Sequence, residues 1–138
     1  MRKRTLAREF ALQVLYQLDI TRDTPEVALD NFWSYHSEEE VDKELRDFSS
    51  KLVCGVVKYL EEIDKKISQY AANWQLKRMA VVDRNIMRMG CFELLYCDDI
   101  PPKVSINEAV ELAKKFSGLE SGKFVNAILD KVKTEKEK

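Results

Sequence analysis

The chain has 138 residues, of which 45% are hydrophobic and 34% are charged, and its formal net charge is −1. This length is enough for one domain with a substantial core. The near-neutral total excludes a general attraction for polyanions, so any nucleic-acid signal has to come from where the charges lie. Glycine and proline number only four and three, which favours long helices over a β-sandwich.

Three cysteines occur, Cys54, Cys91 and Cys97, and no pair has C-x-x-C spacing. An odd count without that motif favours a reducing cytoplasm over a disulfide scaffold. No run of eighteen apolar residues is present, so no membrane span is predicted. The basic start does not predict a signal peptide, because Arg8 and Glu9 interrupt any apolar segment. We therefore expect a cytoplasmic protein without membrane contact.

The first predicted helix covers about residues 5–20, where apolar side chains recur every four positions. Four basic residues precede or open it: Arg2, Lys3, Arg4 and Arg8. Cations at a helix N-terminus are disfavoured by about 0.3–1 kcal/mol. Arg4 and Arg8 are four apart and share one face, opposite Leu6 and Phe10, which we expect to pack inward. The charge pattern fits a cationic edge for phosphate and an ordinary solvated terminus equally well.

Further helices follow in chain order. Thr24-Pro25-Glu26 is typical of a helix start. Residues 37–47 carry six acidic and two basic side chains and are interpreted as the solvated start of a third helix, with a break near residues 58–60. From residue 45 onward the predicted core side comprises Leu45, Phe48, Leu52, Val56, either Tyr59 or Leu60, and Ile63. Trp33, Trp74 and Tyr96 are predicted to be core residues.

The second half predicts three more helical stretches. One contains residues 82–96 and ends before the prolines at 101 and 102. Ser105 to Glu108 forms a capping-box pattern ahead of the next, which Gly118 ends. The last runs from about Ser121 to Val132. No strand is predicted, so the fold class is all-α with about seven helices.

Little in the chain predicts catalysis. No glycine-rich phosphate loop and no nucleophile elbow can be built from the four glycines. The single histidine, His36, has no cysteine or acid at ligand spacing, so neither a metal nor a cofactor is predicted. We expect the protein not to be an enzyme.

A second basic cluster surrounds the start of the last helix. Lys114 and Lys115 close one predicted helix, and Ser121-Gly122-Lys123-Phe124 opens the next. Gly122 permits close approach, and Lys123 adds charge where free N–H groups point outward. An exposed Phe124 could stack on a base, whereas apolar spacing alone favours core packing. Such a mixture suits single-stranded RNA.

Three ordered blocks resemble the NusB transcription antitermination family. They are AREFALQVLYQLDI, NWQLKRMAVVDRNIMRMGCFELLY and IPPKVSINEAVELAKKFSGLESGKFVNAILDKV, and they cover nearly the whole chain. The resemblance implies a single RNA-binding domain, residues 1–138, without catalytic activity. It also implies an N-terminal three-helix subdomain packed on a C-terminal four-helix subdomain, at about residues 1–75 and 76–138.

The resemblance further implies partners. Family members bind single-stranded boxA RNA of nascent ribosomal transcripts together with NusE, a protein of the small ribosomal subunit, and help the transcription elongation complex to read through terminators. Position by position, the implied RNA-binding residues are Arg4, Arg8, Lys123 and Phe124, with Arg2 and Lys3 as weaker candidates. The implied partner-binding residues are Asp83, Arg84 and Glu120. Thr5 departs from the family pattern, where another basic residue is frequent, so one phosphate contact is missing or shifted to Lys3.

Two alternatives remain open. One is an RNA-binding module like the N-terminal domain of a ribosomal RNA methyltransferase, against which the lack of a glycine-rich cofactor loop speaks. The other is a protein-interaction adaptor that never touches RNA. A helix-turn-helix DNA binder would need a basic recognition helix after a tight turn, which is not found. A homodimer that covers the RNA-binding edge is a further hypothesis.

Overall fold

A computed structural model describes residues 2–36, 42–71 and 76–137, and the side chain of Lys77 is not among the parts described. Within these ranges the chain forms α-helices and one short 3₁₀ turn, and no strand. The elements are α1 (Lys3–Thr21), α2 (Pro25–Ser34), α3 (Lys43–Lys58), α4 (Leu60–Tyr70), the 3₁₀ turn (Leu76–Arg78), α5 (Val81–Tyr96), α6 (Pro102–Phe116) and α7 (Leu119–Glu137). The predicted all-α class with about seven helices is confirmed.

Several helix boundaries follow directly from local sequence. Thr24 caps α2, since its Oγ1 accepts from the backbone N–H of Val27 at 3.3 Å. The predicted break near residue 59 separates α3 from α4. The core assignment of Trp74 lies outside the described residues. Tyr96 is 39% exposed, so its assignment to the core is wrong.

The capping-box prediction at Ser105 is wrong. Helix α6 begins at Pro102, with Pro101 at the N-cap position. Ser105 is buried, and its hydroxyl donates at 2.9 Å to the carboxylate of Glu93 on α5. The first N–H of a helix has no partner within the helix, so proline is tolerated at that position. Pro102 therefore begins α6, whereas the sequence pattern predicts a start after it.

The chain divides between Lys58 and Tyr59 into two compact units. In the first, α1 packs on α2 and α3, around a core that includes Ala11, Val14, Leu52 and Val56. Small residues on α1 allow close approach, and the hydroxyl of Ser49 on α3 donates to the carbonyl of Ala7 at 2.7 Å.

The second unit comprises α4 to α7. Its core includes Ile63, Ile67, Ile86, Met87 and Leu129. Arg88 of α5 makes two hydrogen bonds with the carboxylate of Asp64 on α4, at 2.8 and 2.9 Å. The division at Lys58 differs from the boundary expected near residue 75, because α4 packs on α5 and α7.

Candidate nucleic-acid interface

Three exposed cations mark the start of α1: Arg2, Lys3 and Arg4. No acidic residue lies in the first turn of the helix, whose first N–H groups have no intrahelical partner. The Lys3 ammonium lies 2.9 Å from the carboxylate of Asp42 and 3.5 Å from that of Glu44, and hydrogen bonding to Asp42 is the main reason why the pKa of Lys3 is raised. This end of the first unit is therefore basic, but it carries acidic neighbours.

Arg4 and Arg8 lie on one face of α1, as their spacing predicts. Both guanidinium groups cover the ring of Phe48 on α3, with Cζ atoms 4.4 Å and 5.2 Å from its centroid. Arg4 is exposed, whereas the side chain of Arg8 is only 2% exposed. Their common face is thus directed at α3.

The expectation that Arg8 forms part of an exposed cationic edge is wrong in this structure. The buried face of α1 contains Ala7, Arg8, Ala11, Leu12 and Leu15, while Leu6 and Phe10 are half-buried. The face is rotated from the predicted one because Ala7 and Ala11 are small enough to face α3. Phe10 instead packs on the aromatic rings of α2, at 5.4 Å from Phe32 and 5.9 Å from Trp33.

A cavity of about 460 Å³ lies in the second unit, at the starts of α5 and α7. The residues that line it are Met79, Ala80, Asp83, Glu120, Ser121, Lys123 and Phe124. Two of the predicted RNA-binding residues and two of the predicted partner-binding residues therefore line the same cavity. Arg2, Lys3, Arg4 and Arg8 belong to the other unit.

Each charged residue in or beside the cavity has a defined neighbour. Asp83, in the first turn of α5, accepts a hydrogen bond from the Ser121 hydroxyl at 3.1 Å. Arg84 donates to the carbonyl of Leu76 at 3.3 Å. The ammonium of Lys123 lies 3.5 Å from the carboxylate of Glu120, and both side chains are well exposed. Asp83 is therefore held in place, whereas Lys123 and Glu120 can exchange their partners for a ligand.

Phe124 is half-buried and contributes to the wall of the cavity. Part of the ring is packed against the protein, as core packing predicts, and part is exposed, as base stacking requires. A ring that is half covered is pre-oriented and still presents surface to a ligand, which suits stacking on a base.

Sequence reasoning missed two features of these surfaces, namely the pairing of Lys3 with two carboxylates and the packing of two arginines on Phe48. The charge pattern predicts that Asp42 and Glu44 belong to a solvated helix start, whereas both pair with Lys3, about forty residues earlier in the chain, which local spacing does not reveal. Met79, by contrast, is of a residue type that fits either a partner-binding face or core filling; it is buried in the segment before α5 and lines the cavity. Apolar spacing predicts that Phe48 faces inward, but it does not predict that two arginines pack on its ring.

The lone histidine takes part in aromatic packing. His36 stacks on Phe32 at 4.4 Å, and its Nδ1 lies 2.9 Å from the carbonyl of the same residue. Among the described residues no group of three or more histidine, cysteine or acidic side chains is placed to hold a metal ion. In the same part of the chain, every helix falls short of the length and apolar character that crossing a bilayer requires.

Comparison with known proteins places these features in context. Residues 5–134 match the model of the NusB family. The chain is 45% identical over 130 residues to the transcription antitermination protein NusB of Syntrophus aciditrophicus, covering 94% of this chain and 79% of that one.

Solved structures give the same result. The NusB structure of T. maritima superimposes with a TM-score of 0.86 at 37% identity, covering 96% of this chain and 91% of that one. A crystal structure of the antitermination factors NusB and NusE in complex with double-stranded RNA matches with a TM-score of 0.85 at 30% identity, covering 98% of each chain.

Proposed function

The chain belongs to the NusB family, and from this premise we propose that it binds boxA-type single-stranded RNA of nascent ribosomal transcripts together with NusE. In this role it would join the transcription elongation complex and help RNA polymerase to read through terminators. It would do so by binding alone, without catalysis, metal or cofactor.

The observation that supports this proposal best is the cavity at the starts of α5 and α7. It combines an aromatic wall, an exposed lysine and two carboxylates. Phe124 and Lys123 offer stacking and phosphate contact, the combination by which unpaired RNA is recognised. The similar NusB–NusE complex carries double-stranded RNA; Phe124 supports a single strand here, because unpaired bases can turn outward and stack on an aromatic ring.

At the other unit, we propose that Arg2, Lys3 and Arg4 contact phosphates, since all three are exposed at a helix N-terminus. For Arg8 we propose a positioning role instead of a direct phosphate contact. Because it is buried against Phe48, it holds the platform over which Arg4 lies, and acts on RNA through that position.

For NusE we propose Asp83, Arg84 and Glu120 as contacts. Asp83 and Glu120 line the cavity beside Lys123, so that a protein bound there would lie next to the RNA. Such an arrangement explains how one partner could strengthen the binding of the other, as their contacts adjoin on a preformed surface.

Fluorescence anisotropy tests the proposal, with a boxA-like RNA and a scrambled RNA of equal length, each with and without NusE, across a salt series. We expect a preference for the boxA-like RNA that NusE strengthens. Lys123→Ala should weaken binding to both RNAs and flatten the salt slope, by about 0.7 for one phosphate of a single strand. Phe124→Ala should reduce the preference between them.

Lys131→Ala is the matched control, because Lys131 is an exposed lysine further along the same helix. It removes the same charge away from the cavity and should leave the RNA preference intact. Weak, equal binding of both RNAs, unchanged by NusE, would contradict RNA recognition. NusE binding without any RNA affinity would favour the protein-interaction adaptor instead.

A further inference from the structure

The corner between α6 and α7 exposes two large apolar side chains, Phe116 at 47% and Leu119 at 69%. Backbone hydrogen bonds fix this corner, since the N–H groups of Ser117 and Gly118 both donate to the carbonyl of Ala113, at 2.8 and 2.9 Å. Gly118 takes a φ of 124°, which a side chain would strain. Phe116 is therefore held outward by a defined helix end.

Three lysines lie near this corner, and one of them, Lys114, lies 3.4 Å from the carboxylate of Glu111. The ammonium of Lys115 lies 5.3 Å from the centroid of the Phe116 ring. The side chain of Lys114 packs against the start of α7 at Gly122. A Cβ at Gly122 would lie only 2.9 Å from the Cγ of Lys114. The missing side chain of Gly122 thus brings Lys114 to the turn that carries Lys123, whose side chain is 76% exposed.

We propose that Phe116 is a second stacking platform for single-stranded RNA, and that Lys114 and Lys115 hold the adjoining phosphates. The inference rests on the RNA-binding function proposed above and extends it to a nucleotide that flanks the segment bound at Lys123 and Phe124. Neither Phe116 nor these two lysines is among the residues to which the family resemblance assigns RNA contact.

Charge decides between RNA and a protein as the occupant. An exposed ring bordered by ammonium groups matches a base with its phosphates. The exposed apolar surface here consists of two side chains, whereas a stable protein interface buries about 800 Å² on each partner. RNA is therefore the better match.

The test compares a boxA-like RNA of minimal length with RNAs extended by a few nucleotides at the 5′ or the 3′ end, by anisotropy. Phe116→Ala should weaken binding of one extended RNA by about tenfold, the range found when a stacking aromatic is truncated. It should leave the minimal RNA unaffected, and Phe116→Trp should restore the extended one. A 2-aminopurine base placed in the extension should be quenched by the wild-type protein and not by Phe116→Ala.

Tyr35→Ala is the matched control, because Tyr35 is an aromatic residue that is 86% exposed in the first unit; it should leave both affinities unchanged. If Phe116→Ala binds every RNA like the wild type while Phe124→Ala is weakened, the inference is wrong and the proposed function stands. If wild type shows no boxA preference, the proposed function itself fails. If Phe116→Ala lowers NusE binding and not RNA binding, the corner is a protein contact and the inference is likewise overturned.

Discussion

The ammonium of Lys3 lies 2.9 Å from the carboxylate of Asp42, so the first residue of α1 is tied to the residue that precedes α3. Asp42 also accepts the backbone N–H of Leu45 at 2.9 Å, and this bond, followed by the one from Lys3, lowers the pKa of the carboxyl group. A phosphate that binds Lys3 competes with this carboxylate.

Replacing Asp42 by Asn should therefore strengthen RNA binding at low salt. The amide still caps α3 but no longer neutralises Lys3, and an exposed pair of this kind changes an equilibrium by roughly two- to fivefold. The measurement is RNA affinity as a function of salt concentration. The gain should vanish as salt increases, because exposed charges are screened.

Asp47→Asn is the control for this effect, because it removes the same charge from a nearby residue of α3 that pairs with Lys43 at 3.4 Å. It should change affinity less than Asp42→Asn. Equal gains from both variants would mean that only the total charge matters and that the Lys3–Asp42 pair has no specific part.

Arg8→Ala should destabilise the protein as well as weaken RNA binding. The side chain is fully buried and covers Phe48, so its truncation removes a desolvated cation–π contact and leaves a cavity, at a cost of about 2–3 kcal/mol. Urea unfolding measures this change. Arg4→Ala, which removes an exposed arginine from the same ring, should cost less than 1 kcal/mol and still weaken RNA binding. A fully stable Arg8→Ala protein would contradict the positioning role.

The sequence could predict the number of helices and their approximate positions, because apolar periodicity, Thr24 and the prolines are local signals. It could not predict that Arg8 faces α3. An arginine in a basic run is ordinarily solvated, and its burial depends on Phe48 forty residues later. Ser105 is a second case in which a contact between helices overrides a local motif. The motif predicts a helix cap, but the hydroxyl donates to the carboxylate of Glu93 on a neighbouring helix.

Ser105→Ala tests that assignment. Loss of the hydroxyl removes a donor to Glu93, a carboxylate that is 2% exposed, so we expect a loss of about 1–3 kcal/mol in unfolding free energy. Ser34→Ala removes an exposed hydroxyl that donates to the carbonyl of Asn31 and should cost much less. If the two variants lose equal stability, the buried bond to Glu93 contributes little.

Cys91 should make the protein less stable at alkaline pH. Its burial on α5 raises the pKa of the thiol to about 12. Between the ordinary thiol pKa and that value the unfolded chain releases a proton that the folded protein keeps, so unfolding becomes easier by about 1.4 kcal/mol for each pH unit. Denaturant unfolding from pH 7 to pH 11 measures this slope, and Cys91→Ala should flatten it relative to the wild type.

Cys54→Ala is the control, because Cys54 is exposed and its pKa, raised by partial burial and then by Glu26, is not shifted as far. It should leave the alkaline slope nearly unchanged. A thiol reagent at pH 8 provides an independent readout: Cys54 should react in the folded protein, whereas Cys91 and Cys97, both buried, should react only on unfolding. Rapid reaction of Cys91 in the folded protein would contradict both expectations, because a thiol accessible to reagent is also accessible to the water that lowers its pKa.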